Sequence, residues 1–297
     1  MSANRTRERP IDDVGHGDHL CLAFADDAEQ RRVVTSYLQV GLDRGERVLY
    51  FADQNTPGQV LNWLREAGTD PAAALDSGQL TVTTADDSYL ADGPFDADAM
   101  VTALHKEVSD CLAAGYTGLR VSGEMSWALR DIPGADRLDE YERKVNAVFA
   151  GHAASAICQY DARRFDAASL HSFDRRHPAI VAPHPLFTSP SLDLVPSLRN
   201  GQQALRVIGD VDYHSFQAFS SALESILDWP GDLTVDMNSL QFIDLAGMRA
   251  LVRTAERLRA GRRLHVVDLD PMLCEVMHVV GWDQIPSLSV TAREALA

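Results

Sequence analysis

Short apolar runs alternate with amphipathic stretches from residue 19 onward. "HLCLAF" has strand length, and behind it Val33, Val34, Tyr37, Leu38, Gly41 and Leu42 recur at helical spacing over 27–43. "RVLYFAD" is the next strand; Pro57 then stands where an N1 proline opens a helix carrying Val60, Leu61 and Leu64, with Gly68 to close it. "GQLTVTTAD" follows as a third strand. Asp96 is placed to cap a helix whose Met100, Ala103, Leu104, Val108, Cys111 and Leu112 share a face, and Gly115 ends it before "GLRVSGEM". A helix over 136–150, with Leu138, Tyr141, Val145, Val148 and Phe149 inward, leads to the buried strand "SAICQYD". Strands and helices in this rhythm predict an α/β domain with a parallel sheet.

The rhythm breaks at "HPAIVAPHPLFTSPSLDLVPS", where closely spaced prolines prevent continuous helix and restrict pairing to sheet edges. Beyond it the alternation resumes on a smaller scale. "QALRVIGDVD" precedes a helix over 213–228, "DLTVDMNSLQFID" runs into a helix from 245, and "RRLHVVDL" precedes a helix over 271–280. The expected organisation is a disordered N-terminus over 1–13, a first α/β domain over 14–187, a Pro-rich linker over 188–200 and a compact second α/β domain over 201–297.

Length and composition suit this division, with 297 residues of which 45% are hydrophobic. Charge narrows the partners: 43 acidic against 27 basic residues leave a net charge of −16, which repels nucleic-acid phosphates and argues against direct DNA binding. Cys21, Cys111, Cys158 and Cys274 are scattered with no C-x-x-C pair and are expected as small core residues in a reducing compartment. No apolar run has membrane-spanning length, and the polar start "MSANRTRERPIDD" is no secretory leader, so a cytoplasmic location without membrane contact is expected.

"ALRVIGDVDYHSFQAFSSAL", "LTVDMNSLQFIDLAGMRALV" and "RRLHVVDLDPMLCEVMHVVGW" resemble, in order and spacing, the STAS domain of anti-sigma-factor antagonists. The resemblance implies binding to an anti-sigma factor that is also a protein kinase, or to another STAS protein, with binding switched off by phosphorylation of a serine just after the strand's aspartate. Here Asp244 remains as the N-cap, but Leu245 and Ala246 follow it, and neither accepts a phosphoryl group. Asp244, Leu245, Ala246 and Met248 are the candidate partner contacts, and no phosphorylation is expected at Leu245. Ser215 and Ser239 are ordinary loop serines on this reading.

The larger domain resembles the MEDS domain through "GDHLCLAFADDAEQRRVVTSYLQVGLDRGERVLYFAD", "SGQLTVTTADDSYLADGPFDADAM", "GYTGLRVSGEMSWALRDIPGADRLDEYERKVNAVF" and "AICQYDARRFD". That resemblance implies a RecA-like sheet and a sensory role toward small hydrocarbon derivatives. A RecA-type ATPase needs a glycine-rich loop with a phosphate-binding lysine. "FADDAEQRR" stands there instead, no G-x-x-x-x-G-K-S/T occurs in the chain, and Asp26, Asp27 and Glu29 would repel a triphosphate. The fold expected overall is α/β: a RecA-like parallel-sheet sensory domain without a P-loop, followed by a smaller STAS α/β domain.

Ligands of parallel sheets sit beyond the strands' carboxyl ends. That rule selects Phe24, Asp86, Tyr89, Glu124, Trp127, Tyr160 and Asp161 as candidates to line a small-effector pocket, with Glu124 and Trp127 the leading pair. Each also has a structural reading, as a helix cap or a core side chain. His16 and His19 lack a third metal ligand in register and are expected to be solvated, and the other histidines look dispersed, so no metal site and no cofactor are expected. No nucleophile–base constellation is visible, and the chain is read as a signalling protein rather than an enzyme; the rival reading is a residual nucleotide-binding enzyme on a RecA-like scaffold.

Overall fold

The computed structural model describes residues 7–91, 93–199 and 202–293. Residues up to Ala182 form one compact unit and those from Pro183 a second. Of the N-terminal stretch expected to be disordered, residues 1–6 lie outside the described residues. Residues 7–13 depart from that expectation: they supply strand β1 (Glu8–Arg9) and a 3-10 turn (Ile11–Asp13).

In the first unit β1 is followed by β2 (His19–Phe24), α1 (Asp27–Asp43), β3 (Arg47–Ala52), α2 (Pro57–Glu66), the short α3 (Ala72–Asp76) and β4 (Leu80–Thr84). Then come α4 (Ala97–Ala113), β5 (Leu119–Glu124), α5 (Leu138–Phe149), β6 (Ala154–Asp161), α6 (Ala167–Arg176) and β7 (Ala179–Val181). Side-chain caps start the helices where expected. Asp26 accepts from the Glu29 amide, Asp96 from those of Asp98 and Ala99, and Thr56 with Gln59 forms a reciprocal capping box ahead of Pro57.

The seven strands order as β1-β7-β2-β6-β5-β3-β4, every pairing parallel. Helices cover both faces, so β5 and β6 are buried along their whole lengths. One face carries a core of Leu20, Leu22, Val48, Val34, Leu38 and Leu64 under α1 and α2. The other, under α4, α5 and α6, holds Val121, Ala156, Leu104, Val145 and an aromatic group around Trp127.

The second unit is built from β8 (Phe187–Thr188), β9 (Leu192–Arg199), β10 (Gln202–Val211), α7 (Phe216–Ser225), β11 (Leu233–Ile243), α8 (Leu245–Arg257), β12 (Leu264–Leu269), α9 (Pro271–Val279) and β13 (Leu288–Ala292). Its sheet runs β13-β12-β11-β10-β9-β8, parallel from β13 to β10 and antiparallel beyond. The stretch expected as a linker over 188–200 therefore enters the sheet, apart from residue 200, which lies outside the described residues along with residues 201 and 294–297 of the second domain. Proline does not prevent this. Pro196 faces Leu205 on β10, while β8 pairs only with Leu194 and Asp193, so the missing N–H falls on an open edge.

A buried cation shapes the first unit's core. The Arg120 guanidinium, fully buried, pairs with Glu46 and lies over the Tyr37 ring at 4.4 Å. Gly41 in α1 makes room for it, since a Cβ there would stand 2.5 Å from Arg120 Cδ and 2.9 Å from Nε. Glycine-to-alanine exchange inside a helix ordinarily stabilises by about 0.5–1 kcal/mol. Gly41→Ala is expected to reverse that sign and cost about 1–3 kcal/mol by overpacking. A lower urea midpoint at unchanged slope is the expected readout, and a raised midpoint contradicts it.

Candidate functional site

Strand register sorts the buried polar groups of the first unit. In the β2–β6 pair His19 lies opposite Ala156, Cys21 opposite Cys158 and Ala23 opposite Tyr160. Ser122 and Glu124 of β5 lie opposite Ile157 and Gln159 of β6. Because side chains alternate along a strand, His19, Cys21, Cys158 and Tyr160 face α5 and α6, whereas Tyr50, Ser122, Glu124 and Gln159 face α1 and α2.

On the α1/α2 face the network closes around Glu124. Its Oε2 accepts the amides of Asp53, Gln54 and Asn55 at 2.9, 2.6 and 3.0 Å. Oε1 accepts the Tyr50 hydroxyl at 2.7 Å and Asn55 Nδ2 at 2.9 Å. Burial, reinforced by the Glu124 charge, pushes the Tyr50 hydroxyl well above the ordinary tyrosine range. Gln159 extends the chain, accepting from Gln30 Nε2 and donating to Ser122 Oγ, both at 2.8 Å. Each oxygen of this carboxylate meets hydrogen-bond donors.

The α5/α6 face is different. His19 from β2, Cys158 from β6, Glu142 from α5 and His177, just past α6, are all buried, with their ligating atoms within 4.8 Å of one another. His19 Nε2 is 3.3 Å from Cys158 Sγ and 3.5 Å from Glu142 Oε2. His177 Nε2 is 3.2 Å from that same oxygen. The far nitrogens are anchored: His19 Nδ1 lies 2.8 Å from Asn146 Oδ1, and His177 Nδ1 lies 2.7 Å from the Phe173 carbonyl. Burial, followed by the neighbouring His177, holds the His19 imidazole down at about 4. It is a neutral ring near pH 7.

In the second unit Asp244 caps α8 by accepting the Gly247 amide at 2.8 Å. Gly247 lets the first turn close onto the sheet, since a Cβ there would meet Ile243 and Val211 side chains at 2.7 Å. Leu245, the residue after the cap, is 50% exposed, with Phe242 52% and Tyr213 86% exposed beside it in sequence and register. β10 and β11 end together, Val211 opposite Ile243, so these apolar side chains gather at one end of the sheet. A groove between β8 and α7 is lined by Phe187, His214, Gln217 and Ser221 among others, with the His214 ring 5.5 Å from that of Tyr213, and it holds none of the sequence-selected residues.

A family model described as MEthanogen/methylotroph, DcmR Sensory domain matches residues 18–178. The chain belongs to the MEDS family. A model described as Mlab, STAS domain matches residues 196–290 behind the MEDS domain. The transcriptional repressor DcmR of Methylorubrum extorquens is 27% identical over 160 residues, 53% of this chain and 57% of the repressor, so the likeness spans little more than half of that protein. The anti-sigma-F factor antagonist RsfB of Mycobacterium tuberculosis is 26% identical over 98 residues, 33% of this chain and 80% of the antagonist. Among solved structures, an anti-sigma factor antagonist from Mycobacterium paratuberculosis aligns with TM-score 0.31 and 24% identity over 35% of this chain and 90% of its own. A KaiC-like protein from Pyrococcus horikoshii aligns with TM-score 0.43 and 13% identity over 65% and 79%.

Within the MEDS domain every sequence-selected residue except Asp86 is buried. Trp127 is fully buried, stacked on Tyr89 at 5.3 Å and packed against Phe95 at 4.5 Å, and Tyr141 closes the group at 5.6 Å from Phe95. Its Nε1 has no hydrogen-bond partner among the described residues. Glu124, chosen with Trp127, points to the opposite face of the sheet and is saturated by the donors above. Phe24 is core, with Arg163 over its ring at 5.9 Å. Asp161 is held by both the amide and the guanidinium of Arg163, and Asp86 is exposed and paired with Arg130 at 2.9 Å. Tyr160 joins the α5/α6 cluster, donating to Glu142 Oε1 at 2.5 Å.

The histidines also depart from expectation. His16 is half-exposed and lies 3.2 Å from Glu46 Oε1, but His19 is buried rather than solvated, and His177 supplies a ring 4.3 Å from it. Sequence spacing hid this because four separate elements contribute one residue each; a histidine at an alternate position of an otherwise apolar strand was the available signal. In the second unit Leu245 and Ala246 are exposed as expected of contacts, whereas Met248 is buried in the core one turn on and is not a surface residue.

Glu124→Ala leaves the 53–55 amides and the Tyr50 hydroxyl without their acceptor. A loss of about 2–4 kcal/mol is expected from such unsatisfied donors, readable as a lowered denaturation midpoint of the full chain. A change within 0.5 kcal/mol of zero, on the order of an inconsequential surface substitution, would show that water replaces the carboxylate.

Proposed function

We propose that this chain is a cytoplasmic signalling protein without catalysis of its own, whose MEDS domain receives a small organic effector and whose STAS domain docks a regulatory protein. The partner's class is an anti-sigma factor, of the kind that is also a protein kinase, or another STAS protein. The observation that carries the docking reading is the exposed apolar tip of α8, Leu245 with Ala246 on the first turn, with Phe242 and Tyr213 also exposed near the ends of β11 and β10. The similarity to an anti-sigma factor antagonist supports the class of partner. The effector role rests on the family's description as a sensory domain.

Docking at this tip is not gated by phosphate. Leu245 and Ala246 carry no hydroxyl. Ser215, the nearby serine at the start of α7, is buried, with its Oγ accepting the Asp212 amide at 2.8 Å and donating to the Asp210 carbonyl at 2.9 Å. A modifying enzyme would have to break both bonds to reach it. Control by the MEDS domain instead requires an effector with differential affinity for two states of the protein.

Leu245→Asp separates docking from folding, because an acidic residue on the first helical turn suits the helix dipole and leaves α8 stable. Burying a leucine contributes about 1.5–3 kcal/mol, so the variant should bind a kinase-type anti-sigma factor about 10–100-fold more weakly in titration calorimetry. Unchanged affinity would remove the tip from the interface. Incubation of the wild type with that kinase and ATP should leave the 240–250 peptide unmodified by mass spectrometry. Phosphate in that peptide would refute an ungated tip.

A further inference from the structure

The four side chains on the α5/α6 face turn their ligating atoms toward one another, all within 4.8 Å. Asn146 Nδ2 donates to the carbonyls of Glu142 and Arg176 at 3.0 and 2.9 Å, which fixes its Oδ1 as an acceptor toward His19 Nδ1. The Phe173 carbonyl can only accept, so His177 Nδ1 donates to it. With Nδ1 engaged in both rings, each presents Nε2 toward Glu142 Oε2, at 3.5 Å from His19 and 3.2 Å from His177. That oxygen and His177 Nε2 have no hydrogen-bond partner among the described residues, although both residues are fully buried or nearly so. Groups 3.2 and 3.5 Å apart in a dry interior need a proton or a metal cation between them.

We infer that His19, Glu142, Cys158 and His177 form a binding site for a single divalent transition-metal ion of the Zn2+ class. Imidazole nitrogen and thiolate sulfur select borderline metals over Mg2+ and Ca2+, which take oxygen ligands. Tetrahedral zinc, with bonds of about 2.0–2.3 Å, spaces neighbouring ligand atoms by about 3.3–3.8 Å. Separations of 3.2, 3.3 and 3.5 Å lie close to that spacing, and all four ligand atoms lie within 4.8 Å of one another, so small side-chain shifts complete the site. Charge agrees as well: one carboxylate and one thiolate neutralise a divalent ion, and the thiol proton leaves when the metal–sulfur bond forms.

The surroundings hold each ligand in place. Asn146 orients His19, the Phe173 carbonyl orients His177, and the Tyr160 hydroxyl occupies the Glu142 oxygen turned away from the cluster. With four protein ligands and no access to solvent, the site is closed and ties β2, β6, α5 and the end of α6 together. The inference stands apart from the docking reading, since it involves no residue of the STAS domain.

The test uses the full chain, stripped with a chelator and titrated with Co2+ and then Zn2+. Expected are one ion per chain by elemental analysis, tetrahedral Co2+ bands with a thiolate charge-transfer band, and displacement of both by Zn2+. Cys158→Ser should abolish the charge-transfer band, while Cys274→Ala, outside the cluster, retains it. Asn146→Ala, which removes only an orienting bond, should weaken affinity about 10–100-fold. Should Cys158→Ser fail to fold, X-ray absorption of the Zn2+-loaded wild type decides, with one sulfur at about 2.3 Å and imidazole scattering expected. Absence of Co2+ bands in folded protein, or a first shell without sulfur, overturns the proposal.

Discussion

A strand covered on both faces has no solvent side, and this constraint organises the larger unit. β5 and β6 are buried along their whole lengths, yet they carry Arg120, Ser122, Glu124, Ser155, Cys158, Gln159, Tyr160 and Asp161. Each such group must find a partner from the helices above or the neighbouring strands, because an unpaired polar group in the interior costs about 1–3 kcal/mol. The partners come from specific places. Glu46 meets Arg120, Tyr37 meets Ser155, Gln30 meets Gln159, and the loop after β3 meets Glu124. Polar pairing across the two layers fixes how the helices sit on the sheet, which apolar contact alone would leave less determined.

The same constraint explains what could be read in the sequence. Helix starts were legible because caps are local: Asp26, Thr56, Asp96 and Asp244 sit within three residues of the amides they accept. The alternation of the central strands was equally local. β1, β8 and β9 were not, since the proline-dense and charged segments that form them pair at edges, where the ladder leaves one side open and composition says little. α6 and β13 were short segments between stronger signals.

The candidate site divides along the same line. Selecting residues beyond the strand ends found Glu124, Tyr160 and Trp127, but spacing along the chain does not say which face a side chain takes once register is set. Glu124 and Trp127 went to opposite faces, and an aromatic crevice became an aromatic core. His19, Glu142, Cys158 and His177 span most of the domain in sequence and meet only because β2 pairs with β6 and both α5 and α6 return over that pair. The α8 tip was legible for the opposite reason: strand end, cap and first turn occupy a single short stretch, and Gly247 keeps that turn tight against the sheet while Leu245 stays outside.

Two buried carboxylates in one domain show how surroundings decide role. Glu124 is met by backbone amides, an asparagine amide and a phenol, all donors, so its negative charge is spent inside the fold and nothing further is called for. Glu142 receives the Tyr160 hydroxyl on one oxygen and faces two imidazole Nε2 atoms and the Cys158 thiol on the other. An anion whose neighbours all donate is fully met by them; one set among imidazole and thiol groups retains capacity to coordinate a cation. Both carboxylates are themselves buried, so depth does not distinguish these sites. The chemistry of the neighbouring atoms does: donors make the first carboxylate a brace, whereas the second sits among side chains that would bind the metal proposed above.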